Sequence, residues 1–196
     1  MPEPAEIQQL ENLGQDVLAL MIRHDQLRPF INSIITEKTL DQIKTRFNYV
    51  LEPLSKNARG YYKPTLIPHE IAPNDVFKIN NVSVKTFEQN HGFSKTLGFR
   101  ILDFAYTTDL VDLPEKSFEA LKGVNTWVIG VFSNKPHLTH LHTEKAIDWV
   151  NRIGAKKAIF THMSSDLDFE ELNQALPGHI EPAFDGLTID TASMSK

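Results

Sequence analysis

This sequence predicts an α/β fold, on three observations. Short β-type segments crowd into residues 65–107. Strand-like runs alternate with helical periodicity from residue 114 onward. Within the latter lies a continuous apolar run, Trp127-Val128-Ile129-Gly130-Val131-Phe132, with the texture of a strand buried on both faces.

The elements follow in chain order. Ile7, Leu10, Leu13, Val17, Leu18 and Met21 recur at helical spacing and predict a helix over Ala5–Ile22. Arg28-Pro29-Phe30 breaks it, because proline lacks a donor and disfavours helix in the residue before it. Thr36 is a candidate N-cap for a second helix reaching Leu51 through Leu40, Ile43, Phe47 and Val50. A polar loop carrying Tyr61-Tyr62 follows. An antiparallel meander is then expected from Thr65–Pro68, Val76–Ile79, Val82–Phe87, Leu97–Leu102 and Phe104–Thr107, with Asn80-Asn81 as a tight turn. Pro114–Leu121 reads as a short helix opened by proline. Thr143–Ile153 reads as a helix stopped by Gly154. Ala158–Phe160 is a strand, and Asp168 caps a helix reaching Leu176. Asp185-Gly186 between Ile180–Phe184 and Leu187–Ile189 suggests a closing hairpin, and the polar tail after Asp190 is expected to fray.

Composition narrows the chemistry. The chain has 196 residues, 41% hydrophobic and 23% charged, so one globular domain spanning residues 1–196 is expected. No run approaches the roughly 18 apolar residues of a membrane span. The N-terminal residues lack a secretory pattern, so a cytoplasmic chain is expected. Twenty basic against 25 acidic residues, net −5, argues against nucleic acid held by bulk charge. Lys56, Arg59 and Lys63 with Tyr61 and Tyr62 form a small basic–aromatic patch that reads as solvated surface. The absence of cysteine excludes disulfides, thiolate zinc sites and a cysteine nucleophile. Metal or acid–base chemistry must therefore use the eight histidines and the carboxylates.

Three predicted strands end in such residues: Gln89-Asn90-His91-Gly92, Thr107-Thr108-Asp109 and Thr161-His162-Met163. Strand ends aim side chains rigidly into a cleft, and two histidines with a carboxylate are a sensible zinc or iron set. A single histidine near a loop is more often a surface or capping residue than a ligand, and Asp109 could equally be an Asx turn or a helix-entry acid. Pro136-His137-Leu138-Thr139-His140-Leu141-His142 is denser. It reads either as a site or as a polar loop in which Thr139 or Thr143 caps the next helix.

In order along the chain, Asn90-His91-Gly92, Leu97-Gly98-Phe99-Arg100, Tyr106-Thr107-Thr108-Asp109, Leu113-Pro114-Glu115-Lys116, Pro136-His137-Leu138-Thr139-His140, Thr161-His162-Met163-Ser164-Ser165-Asp166 and Phe184-Asp185-Gly186-Leu187 resemble the metallo-β-lactamase superfamily. The resemblance is to its phosphoribosyl cyclic phosphate phosphodiesterase-like branch, related to the tRNA 3′-processing endonucleases. It runs from about Asp25 to Ile189, with Asp25-Gln26-Leu27-Arg28-Pro29-Phe30 resembling the segment after the family's metal motif. It implies an αββα sandwich, incomplete here and lacking most of the first sheet, in an N-terminally truncated domain. It implies that His91 is a ligand of the first metal, Asp109 the bridging carboxylate and His162 the late histidine of the second site. It also implies His140 as general acid or leaving-group stabiliser, with His137 beside phosphate.

The family's H-x-H-x-D-H motif is absent, Arg23-His24-Asp25 being the nearest string, and Ser165 stands where a histidine is often found. What remains implies one 2-His-1-carboxylate site taking zinc or manganese at partial occupancy. The corresponding function is a metal-dependent phosphodiesterase-like hydrolase of impaired or no activity, acting on a phosphorylated small molecule. The alternative is a non-catalytic remnant or interaction module whose exposed sheet a second copy or a partner covers.

Overall fold

A computed structural model describes residues 17–21, 30–55 and 65–189. The chain divides into two compact units, the first ending at Ala72 and the second beginning at Pro73.

The first unit holds a three-stranded sheet in the order β1-β2-β3, with β1 Val17–Met21, β2 Phe30–Ile35 and β3 Thr65–Glu70. Strand β2 pairs antiparallel with β1, Val17 opposite Ile35, and parallel with β3, Phe30 opposite Thr65 through Ile35 opposite Glu70. This corrects two expectations. Val17–Met21 is strand rather than the end of a helix, because pairing with β2 outweighs the helical spacing of its apolar residues. Thr65–Pro68 lies in this sheet rather than in the meander, since its partner is the distant β2. The rest of the expected first helix, Arg23-His24-Asp25 and the basic–aromatic patch lie outside the described residues, as does the chain from Asp190 onward. Helix α1, Glu37–Arg46, starts at Thr36, whose hydroxyl accepts from the Thr39 N–H at 3.4 Å. It ends at Phe47, short of Leu51, and a single 3₁₀ turn, Asn48–Val50, follows.

The second unit is built on a seven-stranded sheet, β10-β9-β8-β7-β6-β5-β4. Val76–Ile79 (β4), Val82–Asn90 (β5), Lys95–Ile101 (β6) and Phe104–Thr107 (β7) form the antiparallel meander, each strand paired with the next. From β7 the sheet is parallel through Thr126–Gly130 (β8), Lys157–Thr161 (β9) and Ile180–Pro182 (β10). The crossovers are α2 Glu115–Leu121, α3 Thr143–Ile153 and α4 Phe169–Ala175, as parallel neighbours require. Gly154 ends α3 in the left-handed conformation (φ +73°), and Asp168 Oδ1 caps α4 by accepting from the Glu171 N–H at 3.0 Å. The expected closing hairpin does not form. Ile180–Pro182 pairs parallel with β9, Asp185-Gly186 makes only a turn closed by Leu187 N–H to the Phe184 carbonyl, and Leu187–Ile189 is not a strand.

Strand β8 is buried along its whole length, as its apolar run predicts, although it stops at Gly130. Trp127, Phe87, Phe160, Leu121, Ile129 and Leu141 anchor the core, each essentially inaccessible to solvent. The Trp127 indole N–H donates to Thr107 Oγ1 at 2.9 Å, so this buried ring leaves no polar atom unpaired. Gly98 of β6 lies directly opposite Phe87 of β5, and the Phe87 ring lies across the space a Cβ there would fill.

Gly98→Ala should therefore destabilise the protein by about 1–3 kcal/mol through overpacking. Urea unfolding checks this, and adding Phe87→Leu should restore part of the loss.

Candidate metal centre

Strand polarity assembles the site. Strand β5 runs antiparallel to β6, and β6 antiparallel to β7, so β5 and β7 point the same way, and β8 and β9 run parallel to β7. The carboxyl ends of β5, β7, β8 and β9 thus share one sheet edge. His91 follows β5, Asp109 lies just beyond β7, the loop carrying His137 and His140 follows β8, and His162 follows β9.

At that edge His91, Asp109 and His140 offer ligand atoms that all lie within 4.8 Å of one another. Asp109 Oδ1 is 3.7 Å from His140 Nε2 and 3.5 Å from His162 Nε2. The His91 and His140 rings meet edge-on with centroids 4.8 Å apart, while His140 and His162 stack at 5.2 Å. His137 is exposed, its ring 5.1 Å from that of His140. All five residues singled out in the sequence are brought to one place.

Two backbone features make the convergence possible. Asp109 (φ +54°) and His162 (φ +61°) both adopt the left-handed region, which is rare for residues with a side chain and turns each out of its strand direction. Gly130, at the end of the intervening β8, leaves the space for this. A Cβ there would lie 3.1 Å from Thr108 Cα and 3.5 Å from His162 Cβ.

The donor chemistry fits a transition metal. His91 is buried, and its Nδ1 lies 2.7 Å from the Thr139 carbonyl, which can only accept. Nδ1 therefore carries the proton and Nε2 keeps its lone pair, the arrangement by which outer hydrogen bonds orient histidine ligands. The 3.5 and 3.7 Å nitrogen–oxygen separations are too long for good hydrogen bonds. They approach the spacing of ligand atoms around an ion, since two atoms about 2.0–2.1 Å from a tetrahedral zinc are about 3.3–3.4 Å apart. His140 is held neutral: burial first, then the neighbouring His91 and His162 imidazoles, lower its pKa from 6.5 to about 4, against the opposing pull of Asp109. Phe132 stacks on the His140 ring at 4.7 Å and walls this side of the cluster. Its backbone joins both histidine loops, its N–H donating to Leu141 O and its carbonyl accepting from Ser164 N–H.

The roles of four contributors, Thr139, Phe132, Gln89 and Thr96, were not identifiable from the sequence pattern. Thr139 is not the cap of α3, nor is Thr143; the cap position is His142, and Thr143 Oγ1 bonds the Asn134 side chain. The Thr139 carbonyl fixes His91, and its hydroxyl lies 2.8 Å from His140 Nδ1 and 3.2 Å from His137 Nδ1. Phe132 reads only as the end of an apolar run. Gln89 and Thr96 bond the backbone at Thr108 and Asp109; the available signal was a polar Gln89 in the same inward row as Phe87.

A model of the beta-lactamase superfamily domain matches residues 16–163. The chain belongs to the metallo-β-lactamase superfamily. It is an α/β chain of that fold, and it resembles the family's phosphodiesterase-like members. A PhnP-family diphosphatase superimposes with a TM-score of 0.71 at 27% identity, over 82% of this chain and 58% of that one. Zinc-bound PqqB from Methylobacterium extorquens gives 0.63 at 15% identity, over 81% and 64%. An octanoyltransferase from Porphyromonas gingivalis (strain ATCC BAA-308 / W83) is 30% identical over 176 residues, 89% of this chain. The chain spans only 34% of that relative's length. No described helix is long and apolar enough to cross a membrane.

The lowered His140 pKa gives a signed pH prediction for metal-free protein. Between about 4 and 6.5 the unfolded chain binds a proton at His140 that the folded chain does not. Stability therefore rises with pH through this window and is lost as pH falls. With chelator present, urea midpoints measured across the window should fall less steeply in His140→Asn than in the wild type.

Proposed function

We propose that this chain is a metal-dependent hydrolase of phosphoric esters, holding one zinc or manganese ion at His91, Asp109 and His140, with His162 as the fourth donor. The observation supporting this reading is the convergence of three imidazoles on one carboxylate at a single sheet edge. When bound, the ion supplies Lewis-acid polarisation of a phosphoryl oxygen. The residues supply the rest. His91 and Asp109 hold the ion, each aimed by its own backbone or outer hydrogen bonds. The neutral state of His140 suits a ligand with a free lone pair at Nε2, so it takes the ligand role ahead of the acid role that the family resemblance implies. His137 Nδ1 accepts from the Thr139 N–H at 3.3 Å, which leaves the His137 proton on Nε2. That exposed N–H is placed to bind phosphate or pass a proton to the leaving oxygen.

The substrate class, a phosphodiester or a diphosphate, follows the phosphodiesterase resemblance and the PhnP-family neighbour, which is a diphosphatase by its description. The acyl-transfer name belongs to a relative of which this chain matches about a third, and it is not carried over. A second reading is a non-catalytic interaction module. It is favoured by the absence of H-x-H-x-D-H from the sequence, which removes the donors of a two-metal clamp.

Purified protein should take up one zinc per chain by elemental analysis after dialysis. The ion should be lost readily to chelator, and His91→Ala and Asp109→Asn should each abolish uptake. Loaded protein should hydrolyse bis(p-nitrophenyl) phosphate slowly, and His137→Ala should reduce turnover without changing the metal content. Two tightly held ions per chain would overturn the single-site reading. No uptake at all would favour the interaction module.

A further inference from the structure

We propose that Gln89 and Thr96 are positioning residues for the metal centre: together they clamp the backbone at Asp109 and so set the metal affinity of its carboxylate. The inference rests on the metal-site reading above and adds to it two residues that touch no ligand atom.

Gln89 on β5 and Thr96 on β6 face each other across the ladder, and both side chains are buried, Gln89 completely. The Gln89 amide Nε2 donates to Thr96 Oγ1 at 3.0 Å and to the Thr108 carbonyl at 2.8 Å. Having accepted that bond, the Thr96 hydroxyl donates to the Asp109 carbonyl at 2.8 Å. The orientation of the amide is settled by chemistry: a carbonyl only accepts, so the nitrogen must face Thr108. Gln89 Oε1 is left without a partner among the described residues. Both of the bonds that the amide makes are therefore spent in this clamp.

The two captured carbonyls are consecutive, and they lie just beyond β7, where the ladder no longer holds the chain. They belong to the step at which the backbone enters the left-handed region at Asp109 and swings its carboxylate toward His140 and His162. A short network from the turn end of the β5–β6 ladder thus fixes the one acidic donor of the cluster. Outer-shell partners of this kind are worth about 10–100-fold in metal affinity.

The test is cobalt(II) binding by the whole chain, read by competition with a chromophoric chelator and by the visible d–d absorption of the bound ion. Thr96→Val keeps the shape and removes the hydroxyl. Gln89→Met keeps the length and removes the amide. Each should weaken cobalt binding by about 10–100-fold and alter the absorption band, with far-ultraviolet circular dichroism unchanged. Thr96→Ser, which retains the donor, should bind cobalt close to the wild type. A folded Thr96→Val or Gln89→Met with wild-type affinity and spectrum would overturn the proposal. So would failure of both to fold, because the pair would then be a folding element rather than a positioning one. If the wild type itself bound no cobalt, the metal reading would fall first, and the positioning role with it.

Discussion

The direction in which four strands run is the constraint on which the candidate centre depends. A meander with an even number of reversals between β5 and β7, joined to parallel crossovers from β7 to β9, leaves the carboxyl ends of all four strands at one edge. A single additional reversal would send His91 to the opposite edge, away from Asp109 and His162. The helices α2 and α3 are the means by which parallel neighbours are joined, and their apolar faces close the core. Packing and site geometry are therefore one problem: the burial that stabilises β8 also determines where the residues on either side of it emerge.

Two of the site's residues carry backbone strain. A residue with a side chain in the left-handed region costs on the order of 1–2 kcal/mol, and Asp109 and His162 both adopt it. Each is held by its surroundings. Hydrogen bonds from the buried Gln89 and Thr96 side chains grip the carbonyls of Thr108 and Asp109, and Phe132 links the His162 loop to the His140 loop through backbone bonds on either side of its own residue. Gly130 makes room between them. These features give the two strained residues a common, rigid base, which a centre needs if its ligand atoms are to stay in place without the ion.

The sequence made the second unit legible and the first unit largely not. From Val76 to Leu176 the punctuation is local: Asn80-Asn81 between strands, proline opening α2, Gly154 closing α3, Asp168 capping α4. Local chemistry can be read locally. The first sheet depends on Phe30–Ile35 lying beside Thr65–Glu70, a pairing across some thirty residues that leaves no short-range mark. The segment ending in Val17–Met21 meanwhile carries apolar residues at helical spacing. The end of the chain misled for the related reason that a good turn, Asp185-Gly186, does not make a hairpin without a second strand to close it. The candidate site was legible to the level of residues, because histidines and an aspartate at strand ends carry their own signal. Its finer roles were not, because whether His140 is a ligand or an acid depends on burial, on the Phe132 ring above it and on the Thr139 hydroxyl beside Nδ1.

Charge explains why this cluster suits one ion better than two. His91, His140 and His162 bring neutral imidazoles when they ligate, so Asp109 supplies the only negative charge of the four. One divalent ion with these four donors then leaves a net charge of plus one, which the phosphate ester of the proposed function would offset. Two divalent ions about 3.5–4 Å apart, as in a two-metal clamp, would repel each other by roughly 18 kcal/mol at an effective dielectric constant of about 20. A single bridging carboxylate cannot offset that, and the second acidic donor that H-x-H-x-D-H would bring is missing from the sequence. The same shortage gives His137 its importance. On that proposed reading, with one ion to balance the charge of a phosphoryl group, the exposed His137 imidazole N–H beside the cluster is a further donor that can meet the substrate's oxygens. On the hydrolase reading proposed above, the chemistry is that of one metal helped by a histidine, and it suits a substrate whose leaving oxygen does not need a second metal.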